Sequence, residues 1–414
     1  MSRRARFTCS LAACVAAAIL TLGLIPSPTQ AATRRVGPGK TYATIRAAAQ
    51  AAQSGDSILI DAGTYTGDVC SWNANNLVVK GVGGRPILRA NGASEGDKGI
   101  WVVNGLNFTA DNFEFSGAVS SSGLNGAGIR FNTSGAVTIR NCYFHDNQDG
   151  ILGGADNLTV EYSIFDHNGY GDGQSHNMYV WGGSFTLRYS YTHRANQGHD
   201  VKTRSAKNYI YCNRIMDESD GLASYEINVP NGGETYIIGN VIEQGPRSPN
   251  SNIIRYAEEG ASNPSQDLYV INNTIVNNAG GGTFINIAGS GRGTVRNNIF
   301  CGPGSTWTGG TVTASNNYID GSGTSGARFQ NTTGYDFHLT SASPASILNA
   351  GAALGLSPTG FSLAPPGQYV YDAQGTSRSL LGALDLGAFE YGTGGGTGGQ
   401  DTSSPSAVTD LHNR

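Results

Sequence analysis

Between residues 141 and 319 one four-residue phrase returns eight times, at Asn141–Phe144, Tyr162–Phe165, Tyr189–Thr192, Cys212–Ile215, Gly239–Ile242, Asn272–Ile275, Asn297–Phe300 and Asn316–Ile319. A small polar residue, often Asn, recurs two places before an apolar one. A phrase that returns every 20–30 residues or so marks stacked copies of one unit, none of which can bury its apolar face alone. Asn side chains placed one above another can hydrogen-bond along the stack, and Asn tolerates left-handed corners. A propeller blade needs roughly 40 residues or more. The shorter interval therefore selects a stack of β-coils, a parallel β-helix.

The clearest coils run from Ser175 to Tyr256. Met178, Val201, Tyr225 and Ile254 follow one another at spacings of 23, 24 and 29 residues. Side chains two apart share a face of a strand. Stacking on these spacings turns Met178, Val201, Tyr225 and Ile254 inward, with Val180, Thr203, Ile227 and Tyr256. Tyr179, Lys202, Glu226 and Arg255 then form one outward column, with side chains roughly 5 Å apart. Trp181, Arg204 and Asn228 run beside it. Asn177, Asp200 and Ser224 lie on the other side, with His176 and His199 at the strand starts.

The ends read differently. Arg3, Arg4 and Arg6 precede an apolar stretch from Leu11 to Leu24 and small residues up to Ala31, the pattern of a secretory signal peptide over 1–31. The apolar stretch is shorter than the roughly 20 residues that span a membrane. Thr41–Ala52 is Ala-rich with Ile45, Ala48 and Ala49 on one face. It is expected to be a short helix capping the first coil, whose edge would otherwise aggregate. The β-helix is expected to occupy 32–391, with closing segments around Leu339–Ala345 and Gly382–Tyr391. A Gly/Thr linker follows over 392–400. Residues 401–414 resemble the first strand of a fibronectin type III module but are too few to fold one, so the tail is either disordered or the start of a longer chain.

Composition narrows the partners. Lys and Arg number 26 against 30 acidic residues, a net charge of −4, and without the three leader arginines −7. Nothing here has the basic stripe of a nucleic-acid binder. An acidic polymer would need a local basic site, and Lys202, Arg204 and Arg255 supply one. Cys70, Cys142, Cys212 and Cys301 remain after the leader, an even number that permits disulfides in an oxidising compartment. Their spacing fits no zinc site. The 60 glycines suit many short strands joined by tight turns.

The column points to chemistry on an extracellular acidic polysaccharide. Cleaving a uronate polymer by β-elimination needs a base for the C5 proton, positive charge for the developing enolate and an acid for the leaving oxygen. Lys202 among arginines suits the base. Arg255 or Arg204 suits the carboxylate, and Tyr179 or His199 the acid. Hydrolysis instead needs two carboxyl groups roughly 5–9.5 Å apart, which Asp200 and Glu226 are expected to supply. The surrounding cations favour the lyase. A non-catalytic carbohydrate-binding β-helix is the third reading. His176, Trp181 and Asn228 join Arg204, His199 and Asp200 as expected substrate contacts. A histidine metal site from His176, His193 and His199 is a further alternative. The protein is expected to act as a secreted monomer.

The repeats over residues 36–391 resemble the pectate-lyase superfamily of right-handed parallel β-helices. Val201-Lys202-Thr203-Arg204-Ser205, followed by Asn208-Tyr209-Ile210-Tyr211-Cys212-Asn213, is similar to the lysine strand of the alginate lyase/chondroitinase B family. That resemblance implies Lys202 as the base and an arginine one coil later as the acid, a position that falls near Glu226 here. It also implies calcium as an assisting ion, with Asp200, Glu226, Asp217, Glu218 and Asp220 as the nearby carboxylates.

Overall fold

The computed structural model describes Met1, residues 31–123 and residues 126–392. The expected signal peptide, the linker beyond Gly392 and the tail lie outside the described residues. The described residues up to Asp320 form an all-β right-handed parallel β-helix, the hand that successive parallel strands take. One turn of the coil shows the plan: His199–Thr203, Lys207–Tyr211 and Arg214–Met216. The next turn repeats it with Tyr225–Val229, Glu234–Ile238 and Val241–Gln244. Val201 pairs with Ile227, Ile210 with Ile237 and Ile215 with Ile242, all in parallel. The third face is an 11-stranded sheet running from Thr64–Thr66 to Tyr318–Asp320. β-branched and aromatic residues fill the interior, and Phe115, Phe144 and Phe165 stack in parallel at 4.9 and 4.7 Å.

The repeated phrase is a corner with an amide ladder. Asn213 donates to Asn240 Oδ1 (3.0 Å), Asn240 to Asn273 (3.0 Å), Asn273 to Asn298 (3.0 Å) and Asn298 to Asn317 (2.9 Å). Each rung also bonds a strand carbonyl, such as Asn273 to Ile237 (2.8 Å). Ser163 and Ser190 continue the ladder downward through their hydroxyls. The left-handed residue is the one just before each rung, for example Asn272, Asn297 and Asn316 with φ of 50°, 57° and 54°. Asn at these corners adopts this conformation more readily than a branched residue would.

The helix Ile45–Ala51 forms where the sequence indicates, N-capped by Thr44, and buries Ile45, Ala48 and Ala49. The first strand is Thr33–Val36, paired in parallel with Ser57–Asp61. The closing segments do not simply end the stack. Phe329, Phe337, Leu386 and Phe389 pack with Met216, Val241, Val276 and Ile299 along the outer face of the third sheet. The four cysteines, Cys70, Cys142, Cys212 and Cys301, are free and buried and form no disulfide. None of the described helices is long and apolar enough to cross a membrane.

Candidate functional site

The register of the groove strands corrects the sequence reading. Lys202 pairs with Tyr179 below and Asn228 above, and Asn228 pairs with Arg255. The outward column is therefore Tyr179, Lys202, Asn228 and Arg255, not one containing Glu226. Asn228 leaves the flanking column for this one. Tyr225 stands opposite His199 and is partly exposed rather than inward. The cause is coil length. The turn through Glu218–Leu222 puts Val201 opposite Ile227, 26 residues on.

A second cause is local. At the start of these strands two successive residues point inward, as Ile100/Trp101, Ile253/Ile254 and Phe284/Ile285 show by joining the core together. Strict alternation fails at that place. Asp200 and Glu226 occupy the same position on their coils, and both are fully buried. The pair expected to serve as hydrolytic carboxylates thus lies inside the coil, out of reach of a polymer on its surface. Asp200 is likewise no substrate contact, and Glu226 no catalytic group on the groove.

What faces outward is a cationic, aromatic groove. The Lys202 ammonium sits 4.8 Å from the centre of the Tyr179 ring. It is partly buried and forms no hydrogen bond or ion pair with another described residue. Burial holds its pKa below the ordinary lysine value, and the Arg204 charge adds to this. Arg204 is fully engaged: Nε donates to Tyr179 Oη (2.7 Å), and its terminal nitrogens reach Asn231 and Glu259 (2.5 Å each). It positions Tyr179. Arg255 lies two strands above Lys202, about 10 Å by strand spacing, with its guanidinium 5.9 Å from the Tyr225 ring and partly exposed. Trp181 meets Tyr179 edge-on at 5.5 Å.

The histidines line the base of the groove. His176 stacks on His199 at 4.6 Å, and His199 meets the Tyr225 ring at a tilt, 4.8 Å away. His176 is fully buried and accepts from the His199 backbone N–H at 3.0 Å, so it supports the strand rather than meeting a ligand. Burial and the Lys202 charge hold the His199 pKa down to about 3. Its ring is neutral at physiological pH and is not a cationic acid. The alternative histidine metal site does not assemble: His193 belongs to the third sheet, beside Asp166 and Glu218.

Three groove residues escaped the sequence reading. Arg130 occupies the same outward column two strands below Tyr179, its guanidinium 5.5 Å from the Trp181 ring. Its setting in Ile129-Arg130-Phe131, a cation between two inward-facing residues, matches that of Lys202 between Val201 and Thr203, a signal that could have found it. Asp149, beneath His176, accepts from the His176 backbone at 2.9 Å, and burial drives its pKa up. Glu258 accepts from Asn228, covering that amide; it sits in a turn with no periodic signal.

The groove does not fit the calcium ion implied by the sequence resemblance. Among the described residues, the one group of three carboxylates at ligand spacing is Asp200, Asp217 and Glu226, inside the coil. Glu218 is occupied by Tyr191 and by cations at Arg194 and Arg214. Asp220 is an exposed turn residue.

A model of the right-handed β-helix region matches residues 44–188. Among solved structures, pectate lyase Pel9A is similar over 87% of this chain and 96% of its own, with 18% identity and a TM-score of 0.54. The PL6 family polysaccharide lyase Pedsa3628 from Pseudopedobacter saltans matches over 83% and 96% at 15% identity, with a TM-score of 0.41. Pectin methylesterase PemA from Erwinia chrysanthemi matches over 53% and 81% at 15% identity, with a TM-score of 0.35. At these identities the likeness to Pel9A is one of fold. No curated protein matches the sequence.

Proposed function

We propose that the protein is a secreted polysaccharide lyase that cleaves a uronic-acid-containing polymer by β-elimination. The observation that carries the reading is Lys202: a partly buried ammonium with no hydrogen-bond or ion-pair partner among the described residues, on an aromatic ring, in an outward groove with Arg255. A structural lysine usually reaches a carboxylate or bulk water. This one is held where its pKa falls and its lone pair becomes available. The pectate lyase of similar fold agrees with this reading without deciding it.

In the reaction Lys202 takes the C5 proton. The electron pair left behind moves into the uronate carboxylate as an enolate, which Arg255 stabilises from above. The bond to the glycosidic oxygen then breaks, leaving a double bond in the sugar. Tyr179, its hydroxyl fixed by Arg204, gives its proton to the leaving oxygen. Trp181 and Tyr225 offer apolar faces for sugar rings, and Asn228 keeps Lys202 and Arg255 on one line.

Lys202→Ala tests the assignment. Turnover should fall by about 10²–10⁴, the usual contribution of a positioned base. Only a cation–π contact worth about 0.5–1 kcal/mol is lost, so the thermal midpoint should barely move. Unchanged turnover, or loss of fold together with activity, would overturn Lys202 as the base.

A further inference from the structure

The interior carboxylates are the most costly unexplained feature of the fold. Asp200 and Glu226 enter the core from successive coils, and Asp217 enters from the third sheet. One oxygen from each lies within 4.8 Å of the others, and all three residues are buried. Glu226 is 0% exposed and neither of its oxygens has a hydrogen-bond partner among the described residues; one oxygen each of Asp200 and Asp217 is likewise unpartnered there. Ordinary cores pair or avoid such groups, because an uncompensated buried carboxylate costs several kcal/mol.

The surroundings orient this set. A second amide ladder climbs the neighbouring corner: Asn147 donates to Asn168 (2.9 Å), Asn168 to Asn177 (2.8 Å) and Asn177 to Asp200 Oδ1 (2.6 Å). The ladder thus ends on a carboxylate and leaves Asp200 Oδ2 for something else. Asp217 Oδ1 accepts from the Ala223 backbone (2.8 Å), leaving its own Oδ2. On the next coil, Gln244 is fully buried. Its amide nitrogen reaches Ser248, Asn250 and Asn252, and its carbonyl oxygen has no partner. Glu243, by contrast, is satisfied by the Glu218 N–H and by Asn278 (2.8 and 2.7 Å).

We propose that Asp200, Asp217 and Glu226 hold a calcium ion inside the coil, where it locks three strands together and takes no part in the groove chemistry. Calcium bonds oxygen at about 2.3–2.6 Å, so two ligands across the ion stand up to about 5 Å apart, the span of this cluster. Carboxylates and amide carbonyls without nitrogen or sulfur donors select a hard cation. The buried position suits calcium better than magnesium, which keeps several waters. The unpartnered Gln244 carbonyl, one coil above Asp217, is a candidate for a further ligand. The rival occupant is protons shared among the acids, since burial, reinforced by the neighbouring Asp217 carboxylate, drives Asp200 and Glu226 well above the carboxylate range.

Metal content and melting of the full chain decide between the two. The protein is unfolded and refolded once with excess EGTA and once with calcium, then freed of loose ions and assayed for metal by mass spectrometry. The expected result is one calcium per chain in the second sample and a thermal midpoint about 5 °C or more above the first, from mass action on the native state. Asp200→Asn prolongs the amide ladder and should fold. It and Glu226→Gln should each hold less than a tenth of the wild-type calcium and melt alike in both buffers. Metal-free wild-type protein that melts identically with EGTA and calcium at neutral pH would overturn the proposal and assign the cluster to shared protons. Full calcium retention by both variants would overturn the ligand set.

Discussion

Replacing one rung of the long amide ladder should cost far more than the size of the side chain suggests. In Asn273→Ala, the backbone and side-chain amides of Asn240 lose the oxygen they share, at 2.9 and 3.0 Å, and the Ile237 carbonyl loses a donor at 2.8 Å. Asn298 keeps its bond from the Asn273 backbone (2.8 Å) and is less affected. Two or three stranded polar groups at about 1–3 kcal/mol each give a loss of about 2–9 kcal/mol, since Asn273 is fully buried. The last rung, Asn317, makes the same types of bond to Asn298 and Val295 but is partly exposed. Water can replace its partners, so Asn317→Ala should cost about 1 kcal/mol. Denaturant titration of both variants beside the wild type, followed by far-ultraviolet circular dichroism, reads the difference. Equal costs at the two positions, or an Asn273→Ala loss below about 1 kcal/mol, would refute the ladder as a source of stability.

Two further outcomes follow from particular contacts. Burial pulls the His145 pKa down, but Asp146 at 2.7 Å and Glu114 at 3.3 Å outweigh it and raise it to about 9 from 6.5. A raised folded-state value means the pair stabilises fully below pH 6.5 and loses that contribution as pH climbs through about 9. His145→Gln should therefore lose about 1 kcal/mol at pH 6, given that Asp146 is mostly exposed, and nothing at pH 10; a difference from wild type that does not shrink across this range contradicts it. Tyr179→Phe removes the acid and keeps the ring under Lys202. Steady-state kinetics should show kcat lowered by about 10²-fold or more with KM nearly unchanged, whereas a shift in KM alone would make Tyr179 a binding group.

The stack itself was legible because one corner per coil demands one polar rung, and Asn213, Asn240, Asn273, Asn298 and Asn317 meet that demand wherever strand lengths vary. The capping helix was legible for a similar reason, since Ile45, Ala48 and Ala49 mark one buried face. The groove was legible in its cations but not in its register. Counting residues from Val201 cannot see the extra turn through Glu218–Leu222, so Glu226 was assigned the place that Asn228 holds. Alternation cannot see the strand starts where Ile253 and Ile254 both turn inward, and the same break carries Asp200 and Glu226 into the core. Asp149 and Glu258 come to the groove from a neighbouring coil and a turn, through contacts no period encodes.

The central claim is elimination, and its product has an unsaturated uronate that absorbs in the ultraviolet. The purified protein is mixed in turn with alginate, pectate, hyaluronan, chondroitin, heparan and glucuronan, with and without calcium, while absorbance and reducing ends are followed together. A rise in both with one polymer is the expected result and names the substrate class. Reducing ends without absorbance would contradict elimination and make the protein a hydrolase, and silence in both across the panel would contradict a uronate lyase and favour a binding protein.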